Sequence, residues 1–367
     1  MTAAASLSQD EAFARIRLLR SPNVGPISYA QLLGGFGTAI AAVEALPEIA
    51  GKGSRAYRVA ATDRVAAEIA AVRKSGARYL FHDSPEYPPL LAASEGAPPI
   101  LTVRGDTALA LAPCLAVVGA RNASAAAAKL AREFAMALAE AGFTIVSGLA
   151  RGVDGAAHVG ALAGGGATIG VIASGIDVTY PPEHADLQAR IADEALLIAE
   201  QPPGTEPLAR HFPSRNRIIA GLAAGTLVVE AAPKSGSLIT ARLAGEFGRE
   251  VMAIPGSPLD SRAHGCNQLI RDGAVLVQSP ADVIELLSGF DGQPRSTFRE
   301  PSVEGAWQAA SDQPAEIAGL LTLAPVSVDE LVRQSGESAA AVQLALMELE
   351  LGGRLLRHAG ARVSLAP

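Results

Sequence analysis

A chain of 367 residues is too long for one ordinary domain and reads as two or three; with 49% of it hydrophobic, a buried core is readily built. The net charge of −7, with only 18% charged residues, excludes a protein that coats itself in nucleic acid through overall basicity, so any polyanion site must be local. Cys114 and Cys266 stand far apart without a Cys-x-x-Cys, which excludes a disulfide framework and fits a reducing cytosol.

Met1–Gln9 lacks a basic n-region and a long apolar core, so no signal peptide is read. Residues 10–75 place Leu18, Leu19, Val24, Ile27, Leu32 and Leu33 at helical spacing, and Asn23-Val24-Gly25-Pro26 is a helix stop followed by a helix start. This layout predicts a SAM-like or helix-hairpin-helix module over 1–80, in which the hairpin amides either touch a phosphate backbone or only pack. Six prolines (Pro85, Pro88, Pro89, Pro98, Pro99, Pro113) predict an extended crossing over 80–113, with a short strand at 100–103.

From Leu115 onward the pattern alternates. Apolar strands are predicted at 115–118, 144–147, 167–173, 195–198, 226–231, 250–254 and 274–277, with helices such as 124–141 and 238–247 between them. Near-continuous apolar strands alternating with helices require a parallel sheet covered on both faces: an α/β, Rossmann-like doubly wound domain over 81–288. The uncharged run 159–176 is broken by Gly164-Gly165-Gly166 and reads as a buried helix end plus a core strand, so no membrane insertion is expected. Residues 289–314 read as a polar linker. Over 315–367, helices near 315–323, 328–334 and 339–351 and a hairpin of 354–357 with 362–365 make a winged helix. The helix that would read a groove carries Glu348 and Glu350 and no Lys or Arg. Duplex readout therefore conflicts with its charge, and a protein-contact role fits better.

Ligands of doubly wound sheets bind outside the carboxyl ends of the strands, near the switch point. Gly119 and Arg121 follow the first predicted strand of the alternating region. Ser147, Gly148, Arg151 and Gly152 end and follow the second. Beyond the fourth come Arg210 and Phe212-Pro213-Ser214-Arg215-Asn216-Arg217, and beyond the fifth Lys234-Ser235-Gly236-Ser237. Between Leu208 and Arg242 there are five basic residues (Arg210, Arg215, Arg217, Lys234, Arg242) and one acid, Glu230, a local charge of 5 − 1 = +4. Pro213 suits the first turn of a helix, whose free amides favour an anion.

The dinucleotide fingerprint fails because Arg121 stands where Gly-x-Gly needs its second glycine, and the Walker pattern is absent, so no cofactor is expected. The histidines and cysteines lack metal-ligand spacing, so no metal is expected either. His158 is expected to hold the Arg151–Asp154 loop by a hydrogen bond. Glu230, positioned as a possible base, is expected to pair with a nearby Arg. No catalytic constellation is complete, and no enzymatic turnover is expected.

Together Val118-Gly119-Ala120-Arg121, Ser147–Asp154, Tyr180-Pro181, Phe212–Gly221, Ser235–Ala241, Ile254-Pro255-Gly256 and Gly265–Ile270 closely resemble the DNA-processing protein A family (DprA, also called Smf), in order and over nearly the whole chain. The resemblance implies a cytoplasmic protein that binds single-stranded DNA and hands it to the RecA recombinase during natural transformation. It also implies a homodimer built through the Rossmann-like domain. It assigns the DNA pocket to Arg121, Phe212, Arg215, Asn216, Ser235 and Ser237. Two positions depart from the family pattern: Ala120 replaces a Ser, and Ala209, beside Arg210, replaces a Lys. Two other readings compete: a nucleotide-processing enzyme of a related Rossmann-like fold, and a duplex-binding regulator acting through the winged helix.

Overall fold

The computed structural model describes residues 7–50, 57–165, 167–288, 317–358 and 360–366; the expected linker 289–314 lies outside them. The described residues form two compact units. One comprises those up to Ala67 together with those from 317 onward, the other those from Glu68 to 288.

In the first unit, α1 (Gln9–Leu19), α2 (Pro26–Phe36) and α3 (Ala39–Ala50) surround Leu18, Val24, Tyr29, Leu32, Val43 and Leu46. The expected stop and start are where the sequence puts them. Asn23 sits at φ 60°, the Gly25 amide donates to Ser28 Oγ at 2.9 Å, and Pro26 opens α2. The Glu11 carboxylate accepts the Ala39 and Ile40 amides at 2.7 and 3.3 Å, an acid at the positive end of α3. α4 (Thr62–Lys74) follows and crosses the sequence boundary of the two units. The C-terminal part of the unit is a winged helix: α13 (Ile317–Leu320), β10 (Val326–Ser327), α14 (Val328–Ser335), α15 (Ala339–Leu351), β11 (Leu355–His358) and β12 (Arg362–Leu365), with strand order β10-β12-β11.

The second unit is built on a nine-stranded sheet. It contains β1 (Arg78–Phe81), α5 (Pro89–Ala92), β2 (Ile100–Gly105), β3 (Cys114–Val118), α6 (Ala125–Glu140), β4 (Thr144–Ser147), α7 (Val153–Ala163), β5 (Thr168–Gly175), α8 (Ala185–Glu194), β6 (Leu196–Gln201), α9 (His211–Leu222), β7 (Gly225–Val228), α10 (Gly236–Glu246), β8 (Glu250–Ala253), α11 (His264–Arg271), β9 (Val275–Leu276) and α12 (Pro280–Leu287). The order is β1-β2-β6-β5-β4-β3-β7-β8-β9. The seven strands from β6 to β9 are parallel, in register at Leu115↔Ile145 and Leu115↔Gly225. All seven expected strands are present within a few residues. Apolar residues of α9 and α10 cover one face and those of α6 and α7 the other, which is why β3 to β5 are buried at every position.

One expectation is corrected. The crossing over 80–113 is not mainly extended coil. β1 and β2 pair antiparallel (Leu80↔Leu101), and β2 extends the sheet antiparallel to β6 (Val103↔Ile198). The prolines lie between and after these strands, where they remove no ladder hydrogen bond. The run 159–176 is the end of α7 followed by β5, and no single helix among the described residues is long and apolar enough to cross a membrane.

Candidate nucleic-acid interface

The strand order reverses between β3 and β7, and loops after β3, β4 and β7 meet the start of α9 there. Backbone bonds join the loops: the Ala120 amide donates to the Glu230 carbonyl at 2.7 Å and the Val153 amide to the Ala120 carbonyl at 3.2 Å. Gly152 has φ 75°, and a Cβ there would lie 2.3 Å from the Ala120 oxygen, so this turn accepts only glycine. Two non-glycine residues in left-handed backbone flank the site, Leu149 (φ 56°, fully buried) and Lys234 (φ 67°). Such conformations persist where the surroundings over-determine them, and they concentrate at binding loops.

Phe212 is the centre of the cluster. The Arg121 guanidinium carbon lies 4.5 Å from its ring centroid and that of Arg215 6.0 Å; the Tyr180 ring is 5.9 Å away, tilted by 59°. The two arginines differ. Arg121 is exposed and forms no ion pair within 4 Å among the described residues. Arg215 is 5% exposed, with Nη1 3.8 Å from Asp154 Oδ2. The Gly148 and Ala150 amides also favour the charged form of Asp154. Burial pushes Asp154 up and Arg215 down from their ordinary values, and the charge of each opposes the shift of the other. Gly148 makes the room: a Cβ there would sit 1.2 Å from Arg215 Nη1. Gly148, Ala150, Ser174, Tyr180, Phe212 and Arg215 line a cavity of about 10 Å³, large enough for a water-sized group and too small for a base.

The remaining expected residues fall into two groups. Arg210, at the start of α9, is exposed. Gly119 lies beside Val153 and the Glu230 carbonyl. Asn216 Nδ2 donates to the Gly236 carbonyl at 3.3 Å, tying α9 to the loop before α10, where the Ser235 and Ser237 hydroxyls are 2.9 Å apart. The second group is committed elsewhere. Ser147 is fully buried and donates to the Val117 carbonyl at 2.6 Å. Arg217 pairs with Glu200 and donates to the Gly96 carbonyl at 2.5 Å. Arg151 pairs with Glu183 at the surface. Lys234 lines a separate open groove of about 1110 Å³ together with Arg242, Arg249, His264 and Arg271.

Two side-chain roles are corrected. His158 does not hold the Arg151–Asp154 loop. It is fully buried, and its Nδ1 donates at 2.8 Å to Thr168 Oγ1, which in turn donates to the Ile145 carbonyl; burial lowers its pKa to about 3. The loop after β4 is held instead by His184, whose Nδ1 lies 2.9 Å from the Leu149 carbonyl. Among the described residues Glu230 forms no ion pair with an arginine; it accepts the Ser124 amide and hydroxyl at 3.0 and 2.7 Å and so holds Ser124, the N-cap of α6. Three contributors escaped the sequence reading: Tyr180 as a ring partner, Asp154 as a counter-ion and His184 as a brace. Asp154 and Tyr180 stand in motifs quoted for the family resemblance, which was the available signal. Among the described residues no group of His, Cys, Asp and Glu could hold a metal ion.

Comparison with known proteins agrees with this architecture. The family model for the DNA recombination-mediator protein A matches residues 78–288, a DprA-like N-terminal HHH domain matches 9–71, and a DprA winged helix domain matches 303–361. Protein Smf of Escherichia coli is 39% identical over 77% of this chain and 76% of its own length. DNA processing protein DprA of Streptococcus pneumoniae is 48% identical over 54% and 70%, and protein Smf of Synechocystis 42% over 58% and 54%, so this chain spans about half of that relative. The X-ray structure of DNA processing protein A from S. pneumoniae superposes with a TM-score of 0.64 at 37% identity, covering 76% of this chain and 98% of that one. A structure of DNA processing protein A from Helicobacter pylori, described for its single-stranded DNA binding mode, gives 0.53 at 29%, covering 58% and 97%. This chain belongs to the DNA recombination-mediator protein A family.

Proposed function

We propose that the chain binds single-stranded DNA across the switch-point rim and passes it to a RecA-type recombinase during DNA uptake, acting as a homodimer and without enzymatic turnover. The observation that carries this reading is the half-buried Phe212 with two guanidiniums, of Arg121 and Arg215, within 6.0 Å of its ring centroid at the start of a helix. Phe212 offers a base a ring face, while Arg121, Arg210 and the Ser235–Ser237 loop offer donors to phosphates. The cavity beneath is too small for a base, so stacking takes place on the outer surface and is tolerant of sequence. Phosphate contacts make binding salt-sensitive; about four neutralised phosphates give a log–log salt slope of roughly −3. The absence of turnover is supported by the commitment of Asp154, Glu230 and His158 to structural partners. Handover to RecA and the dimer rest on family membership.

The test is fluorescence anisotropy with single-stranded and duplex oligonucleotides across a salt series. Tighter binding of the single strand, weakened by Arg121→Glu, is expected. Unchanged affinity in that variant would end the reading.

A further inference from the structure

α15 has two apolar faces. At about 100° per residue, Val342, Leu346 and Leu349 form one stripe and Leu344, Met347 and Leu351 another on nearly the opposite side. The first stripe belongs to the winged helix's own core, with Ile317, Leu331, Leu355 and Val363. The second does not face water: Met347 is fully buried and Leu351 2% exposed, both within the cluster that holds Leu18, Val24, Tyr29 and Leu32 of α1, α2 and their hairpin.

Polar contacts accompany the apolar ones. Asn23 Nδ2 donates to the Leu351 carbonyl at 2.8 Å, satisfying one of the carbonyls that the end of α15 leaves open. Gln31 Nε2 donates to Gln343 Oε1 at 2.7 Å. Glu350 lies against the hairpin; a Cβ on Gly25 would meet its Oε1 at 3.6 Å. Its other oxygen accepts from Arg357 of β11 at 2.9 Å. A carboxylate therefore stands beside the amide end of α2, where an incoming phosphate would have to approach.

We propose that α15 is a docking helix for the N-terminal helical module of the same chain. The groove-facing helix of the winged fold and the hairpin of the helical module thus mask one another, and neither reads duplex DNA while docked. An apolar stripe and two carboxylates suit this partner and oppose a phosphate groove.

The test uses the full chain with Gln31→Cys and Gln343→Cys. Cys114 and Cys266 are buried, so the introduced thiols are the reactive ones. A short bismaleimide is expected to join them within one chain, at a rate unchanged by excess duplex DNA. Absence of the adduct, a link formed only between chains, or suppression by duplex each overturns the proposal. Adding Met347→Glu is expected to slow cross-linking about tenfold or more. If that variant fails to fold, the half-buried Leu344→Ser serves, and an undiminished rate in the folded variant counts against docking.

Discussion

α9 and α15 are helices of similar length, 12 and 13 residues, with opposite distributions of charge. α9 gathers Arg215 at its buried start, has Arg121 beside the Phe212 ring of its first turn, and leaves Phe212 half-buried. α15 has no basic residue and buries both of its apolar stripes. Apolar content is therefore a poor guide to what each helix meets. The guide is where charge sits relative to helix ends, and whether a second apolar face is left to cover.

The largest effect expected is for Arg215→Ala. It leaves Asp154 buried without its counter-charge, a loss of about 3–5 kcal/mol, seen as a lower denaturation midpoint, together with weakened single-strand binding. If stability is unchanged, the buried pair is not what organises the start of α9. Met347→Ala, on the contrasting helix, removes a buried side chain and costs about 2–5 kcal/mol, with no change in single-strand affinity. A loss of affinity there would break the separation of roles. Phe212→Ala is expected to cost about 1–3 kcal/mol of binding through lost base stacking, with Phe212→Tyr retaining most of it.

His158 gives a pH test within the sheet. Its folded pKa, near 3, lies below the ordinary value of 6.5, so the unfolded chain binds the extra proton between these limits. Its stabilising contribution is complete above about pH 6.5 and lost as pH falls toward 3, at up to about 1.4 kcal/mol per unit. Urea denaturation of His158→Gln should show a flatter pH dependence in that window; an identical slope would remove His158 as its source. The smallest effect is for Lys234→Ala. Its side chain lines the outer groove, and single-strand affinity should fall by a factor of about two, as for one exposed charge.

The strands of the doubly wound sheet were legible because burial on both faces leaves continuous apolar runs, such as Cys114–Val118 and Thr168–Gly175. The rim was legible because Phe212, Arg215 and Asn216 are neighbours in sequence on one helix start. The second stripe of α15 was also present in the sequence, at 344, 347 and 351, on a helix without basic residues. The antiparallel edge of β1 and β2 was hidden by prolines, which mark turns more strongly than four or six strand residues mark strands.

By itself, then, the sequence determined the alternating α/β core, the family, the clustering of basic residues between 208 and 242 and the failure of cofactor fingerprints. These follow from local periodicity, from spacing and from charge counts. Only the tertiary structure decided which cation is open and which is committed. Arg121 stays exposed beside the Phe212 ring, Arg215 answers Asp154, and Arg217 answers Glu200. It also decided that His184 and not His158 braces the loop, and that Glu230 holds the N-cap Ser124 of α6. Each of these pairings joins residues distant in the chain, and the energy of an ion pair or buried hydrogen bond depends on partner distance and burial, which folding creates and local sequence does not carry.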